Sequence, residues 1–224
     1  MIALIGAAVA PGIAILSYFY LRDSLEPEPI SMVIRSFIFG MLLVVPIMVL
    51  QYIMQNEWNW RDGIVAEVFQ SAVVEEFFKW MVIYFTVYKH LEFDEPYDGI
   101  VYAVAVSLGF ATLENLFYLI INGMNIAIWR AFLPVSSHAL FAVWMGYYLG
   151  RAKFSKDAKH ERLFLWMSIS LPIGLHALYN AIFLSVQNWL IVIVPFMLVL
   201  WWQGLKKVQR AHDYGSKNLS SRPQ

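Results

Sequence analysis

Glu75-Glu76-Phe77-Phe78-Lys79 lies inside a long, mostly apolar run from about Gly63 to Tyr88. Two carboxylates and an ammonium in five residues are expensive there. One charged side chain at a bilayer centre costs at least ~2.5 to 3.5 kcal/mol on the gentlest insertion scale. Such groups usually face a bundle interior or a water-filled cavity, and they mark functional sites. The rest of the chain reads as the scaffold that tolerates them.

Composition agrees. The 224 residues are 60% hydrophobic and 14% charged, with a mean hydropathy of +0.59. A soluble domain of this length would not carry so many apolar stretches of about twenty residues. The fold class is therefore all-α, a polytopic transmembrane helical bundle. There is no cysteine, which removes disulfides, thiolate nucleophiles and cysteine-ligated metals. Lys plus Arg and Asp plus Glu both total 16, a balance that by itself says nothing about partners; no nucleic-acid partner is expected.

About seven spans follow from the apolar runs, at roughly Ile2–Leu21, Met32–Met54, Gly63–Tyr88, Gly99–Ile121, Ala127–Leu149, Leu163–Ser185 and Trp189–Leu205. Arg22, Arg35, Lys89, the basic loop from Arg151 to Arg162 and the tail from Lys206 gather on one side. Only Arg61 and Arg130 lie on the other. The positive-inside rule makes the richer side cytoplasmic, so the N-terminus is outside and the C-terminus inside. Trp58, Trp60, Trp129 and Trp189 fall at outer ends, and Trp201 and Trp202 near the inner end, as an aromatic belt would. The first span has no basic n-region and runs on through Ser17-Tyr18-Phe19-Tyr20, so it reads as a retained helix rather than a signal peptide. The chain divides into a membrane domain, 1–205, and a basic polar tail, 206–224, expected to be disordered or to lie at the membrane surface. Its expected setting is a cell membrane that it crosses several times.

Further polar residues interrupt other spans: Glu114 and Asn115 in the fourth, His138 in the fifth, His176 and Asn180 in the sixth. Glu67 is close enough to an outer end to reach the interface. At about 1.5 Å per residue, Glu75 lies about 18 Å below its outer end, His138 about 17 Å, His176 about 14 Å and Glu114 about 11 Å. Separate helices thus deliver ionisable groups to similar depths. Glu75 and Lys79, four apart, share a helix face and can pair. Pro134 and Pro172 each precede a histidine by four residues. A proline opens the helix and frees a carbonyl that needs water or a side chain in a membrane.

No P-loop, dinucleotide glycine pattern or HExxH helix is present. Ser136 and Ser137 lack a nucleophile elbow. What remains is glutamate, histidine and amide. A carboxylate can take a proton from water, a histidine can orient that water, and a second histidine with an asparagine can stabilise an oxyanion. Hydrolysis of a peptide bond needs these roles and no covalent intermediate. Three glutamates and two histidines would also suffice to ligate zinc. Chains of Glu and His also build proton relays, so a proton-coupled transporter or channel is an alternative. A non-catalytic scaffold that binds a partner helix is another.

The set Glu75-Glu76-x-x-Lys79, Phe110-x-x-x-Glu114-Asn115, His138 and His176-x-x-x-Asn180 resembles the PrsW intramembrane proteases, within the CAAX prenyl endopeptidase-like and bacteriocin-processing-like group. Ala10-Pro11-Gly12 and Tyr97-Asp98-Gly99-Ile100-Val101-Tyr102 extend the resemblance over nearly the whole chain. It implies a glutamate-dependent, metal-independent protease with no cofactor. Its substrate would be a single-pass anti-sigma factor, cut first on the extracytoplasmic side to release a sigma factor in envelope stress. Glu75 resembles the water-activating base, with Glu76 beside it and Lys79 and Asn115 in support. His176 and Asn180 resemble the oxyanion pair. Where the prenyl endopeptidase branch has a second-motif histidine, this chain has Glu114, leaving Glu114 and His138 as rival assistants to the base. The basic loop is expected to touch anionic membrane lipid.

Overall fold

A computed structural model describes residues 1–23, 26–57 and 63–220, without the side chains at 64, 67, 69 and 217–220. Trp58, Trp60, Arg61 and the Glu67 side chain therefore lie outside the described residues. Every regular element among the described residues is helical: α1 Ile2–Leu21, α2 Ile30–Asn56, α3 Ile64–Val68, α4 Val74–Thr86, α5 Asp98–Asn122, α6 Ala127–Arg130, α7 Ser136–Lys153, α8 Ala158–Ser185 and α9 Trp189–Ser220. Among the described residues, six stretches are long and apolar enough to cross a membrane: α1, α2, α5, Met124–Lys153, α8 and α9 to Ser216. The protein is a multi-pass membrane protein. The stretch that carries Glu75, Glu76 and Lys79 differs from the single span expected for it. A π-helical turn, Phe69–Val73, splits it into α3 and α4.

Helix α5 is the hub, packed by α1, α2 and α7 and buried from Asp98 through Thr112. Small residues permit this, because without water in lipid the helices associate by close packing. A Cβ on Gly109 would overlap the Phe37 carbonyl of α2, and one on Gly40 the Val106 carbonyl of α5. Gly99 and Gly146 bring α5 and α7 together in the same way. Outward faces stay apolar, as at Ile34, Leu42, Phe85 and Ile191, which is the pattern of helices facing lipid rather than water.

The residues expected to form a tail are helical to Ser220. Helix α9 runs past Leu205 without a break. Leu200, Gly204, Val208, Ala211 and Gly215 form a buried stripe of mostly small residues along one face. The His212 ring stacks on Tyr97 at 4.0 Å, and the Lys207 ammonium sits 3.8 Å over Trp144. The rise in polarity after Leu205 is real, but the helix keeps a packing face through it.

Candidate active site

The π turn before α4 opens the helix where the chemistry-bearing residues begin. A π turn inserts a residue and leaves a carbonyl out of the regular ladder. Gln51 of α2 answers it: its Nε2 donates to the Gln70 carbonyl at 3.0 Å and reaches Glu75 Oε1 at 3.5 Å. Gln55 Nε2 donates to Gln70 Oε1 at 2.9 Å. A second π turn, Ala131–Val135, contains Pro134 and precedes α7. The Ser137 hydroxyl donates to the Pro134 carbonyl at 2.8 Å, which engages that serine as a helix-terminus donor. Pro172, by contrast, sits within an unbroken α8.

The separate helices do bring their ionisable groups together. Lys79 Nζ, fully buried, donates to Glu76 Oε1 at 2.8 Å, lies 3.4 Å from Glu75 Oε2, and meets His138 Nδ1 at 3.1 Å. It also sits 4.3 Å over the Phe110 ring, a cation–π contact. An ammonium is donor only, so His138 Nδ1 accepts and its proton rests on Nε2. That nitrogen points to Glu114 Oε2 at 3.6 Å. His176 Nδ1 pairs with Glu76 Oε1 at 3.0 Å, and its ring stacks on Phe141. The two histidine rings stand perpendicular, 5.4 Å apart. Asn180 Nδ2 donates to Ser71 Oγ at 2.6 Å.

These groups border a cavity of about 620 Å³. Glu75, Glu114, His138, His176 and Asn180 line it, with Arg130 and Gln51. Glu76 and Lys79 do not; they stand behind the wall, each 0% exposed. The lining continues to Ile121 and Leu184, both exposed, so the cavity opens toward the far ends of α5 and α8. The two adjacent glutamates are thereby separated. Glu75 meets the space, whereas Glu76 binds the scaffold.

Arg130 is the residue that sequence reasoning left at a helix end. Its NH2 pairs with Glu114 Oε2 at 3.1 Å, its Nε donates to Asn115 Oδ1 at 2.9 Å, and its guanidinium covers the Tyr118 ring at 3.8 Å. Asn115 Nδ2 in turn donates to the Ala8 carbonyl of α1 at 3.1 Å. The available signal was an arginine eight residues before His138, within reach of a neighbouring helix's Glu-Asn pair. Gln51 gave none beyond being an amide in an apolar span.

Acids and histidines from separate helices lining a cavity of this size within the bundle suit hydrolysis inside the bilayer. A family model described as PrsW family intramembrane metalloprotease matches residues 28–203. The chain belongs to this PrsW family of intramembrane proteases. It is 56% identical over 219 residues to Protease PrsW of Geobacillus kaustophilus (strain HTA426), covering 96% of this chain and 94% of that protein. It is 48% identical over 215 residues to Protease PrsW of Bacillus subtilis (strain 168), covering 95% and 97%, and 30% identical over 214 residues to that of Clostridioides difficile (strain 630), covering 91% and 90%. No solved structure matches.

The family description names a metal, so the donor set matters. Glu75, Glu76, His138 and His176 each offer a ligand atom within 4.8 Å of the others. The Lys79 ammonium, however, already touches three of these four residues. A dication placed there would displace or repel a fully buried cation held by the same atoms. With Lys79 in place, the residues do not fit a metal ion.

Proposed function

We propose that this protein is a glutamate-dependent intramembrane endopeptidase whose water is activated by Glu75 without a metal. The observation that carries this reading is the division of labour at the cavity wall: Glu75 lines the space, while Glu76 and Lys79 lie behind it. Glu75 is held by Gln51 on one oxygen and approached by Lys79 on the other, so its orientation is set before substrate arrives. It takes the proton of a cavity water as that water attacks the scissile carbonyl, and gives it to the leaving amine as the C–N bond breaks. His176, fixed through Nδ1 by Glu76, presents its ring to the developing oxyanion. Asn180 adds an amide donor once it turns from Ser71. His138, with its Nδ1 occupied by the ammonium, serves as a donor toward Glu114 rather than as a base.

The basic residues on one side support an outside N-terminus and a cytoplasmic C-terminus. The cavity then opens toward the extracytoplasmic side. The motif resemblance extends the reading to a single-pass anti-sigma factor, cut there to release a sigma factor under envelope stress. The test is incubation of purified protein with a candidate anti-sigma factor in detergent, followed by mass mapping. A single cut near the outer membrane boundary is expected, and Glu75→Gln and His176→Ala abolish it while remaining folded. Wild-type rates in either variant defeat the assignment. Elemental analysis bears on the metal: stoichiometric zinc whose removal stops cleavage refutes the metal-free route.

A further inference from the structure

A second group of acids lies at the basic end of the bundle, away from the cavity. Asp23 and Glu28 come from the connection between α1 and α2. Glu95 precedes α5, and Asp98 is its first residue. All are almost fully buried, with exposures of 4%, 3%, 1% and 0% in that order. Asp23, Glu95 and Asp98 each offer a carboxylate oxygen within 4.8 Å of the others. Two oxygens bound to one calcium ion at about 2.3 to 2.6 Å can lie no farther apart than about twice that distance.

What points to a ligand is the state of Asp23. Both of its carboxylate oxygens are buried and neither has a hydrogen-bond partner. The Glu28 backbone amide is directed at it as a donor, but too poorly aligned to satisfy either oxygen. Asp98 is half engaged: Oδ2 accepts from the Asp94 and Glu95 amides at 2.8 and 2.6 Å, while buried Oδ1 has no partner. Glu28 is bound by the Tyr102 hydroxyl and also faces the Asp98 carboxyl at hydrogen-bonding range. Among the described residues no ion pair reaches Asp23, Glu28 or Asp98. Lys153, whose field reaches the cluster, donates instead to the His90 carbonyl at 2.9 Å. Buried polar atoms left this way are costly unless something else satisfies them.

We propose that Asp23, Glu95 and Asp98 bind a divalent cation, calcium in preference to magnesium, which clamps the α1–α2 connection to the start of α5. All the donors are hard oxygens, which suits these ions and disfavours zinc or copper. Three carboxylates suit calcium, since magnesium usually keeps its waters and takes one or two. Tyr97 and Tyr102 flank the site. Tyr97 donates to the Phe19 carbonyl at the end of α1, so the clamp would lie beside an existing tie between the same segments.

The test is titration of chelator-stripped, full-length protein in detergent with Tb³⁺, read by tyrosine-sensitised emission, with Ca²⁺ and Mg²⁺ as competitors. Saturable Tb³⁺ binding displaced by Ca²⁺ before Mg²⁺ is expected. Asp23→Asn should weaken Ca²⁺ about tenfold or more, whereas Glu75→Gln should bind as wild type. No saturable binding, unchanged binding in Asp23→Asn, or displacement by Mg²⁺ first would overturn the assignment. Loss of binding in Glu75→Gln would also overturn it, because the ion would then sit in the cavity. Should Asp23→Asn fail to fold, the wild-type titration alone decides.

Discussion

Replacing Lys79 by methionine removes the one charge that three of the site's residues share. At an effective dielectric of about 20, unit charges attract by roughly 6 kcal/mol at the 2.8 Å separation from Glu76 and roughly 5 kcal/mol at the 3.4 Å from Glu75. Desolvation of the three groups offsets most of that gross attraction. Truncating one partner does not return the desolvation cost, because Glu76 stays fully buried without its ammonium. Lys79→Met should therefore destabilise the protein by about 3 to 5 kcal/mol. Methionine has nearly the stem length of lysine, so little of this comes from lost packing. Adding Glu76→Gln removes the stranded charge, and the double variant should recover about 2 kcal/mol or more of the loss. The assay is reversible unfolding in mixed micelles on all four members of the cycle. A Lys79→Met cost below about 1 kcal/mol, or strictly additive costs, would show that the ammonium is not the counterion of Glu76.

The two adjacent glutamates should separate in the same assays. Glu75→Gln is expected to lower cleavage by about 10²- to 10⁴-fold with stability nearly unchanged, whereas Glu76→Gln should lose both, and equal behaviour would contradict their placement. Arg130→Met should cost about 1.5 to 3 kcal/mol through its charged hydrogen bonds; Arg130→Lys should not restore it, since one ammonium cannot reproduce the fork that holds Glu114 and Asn115 together. Gln51→Leu should lower kcat by about tenfold with KM unchanged, because it releases Glu75 without touching the cavity's open end; a change confined to KM would assign Gln51 to substrate binding instead.

Much of this molecule could be read from its residues. Apolar length and caps are local, so α1 falls at Ile2–Leu21 as expected, and α2 and α5 differ from their expected spans by two residues or fewer at each end. The meeting of Glu75, Glu76, Glu114, His138 and His176 was also legible, because burying several ions in lipid favours one shared polar site. What escaped were features set by tertiary contacts. The break at Phe69–Val73 contains no proline or glycine to announce it. The grip of Lys79 on His138 spans 59 positions, and i,i+4 spacing shows only its bond to Glu75. Arg130 read as interfacial because it begins a span, yet its long side chain reaches back across α5. The α9 extension was hidden because composition reports polarity and overlooks a stripe of small residues.

The π turn ahead of α4 fixes which acid meets the solvent space. Successive α-helical residues are turned by about 100°, so side chains at positions 75 and 76 can never point the same way. A one-residue change of register at Phe69–Val73 would swing the helix by that angle relative to α3, trading a water-facing carboxylate for one embedded in packing. The adjacent acidic pair of this chain thus works as an indexed dial, and the irregular turn is the detent that holds it at one setting.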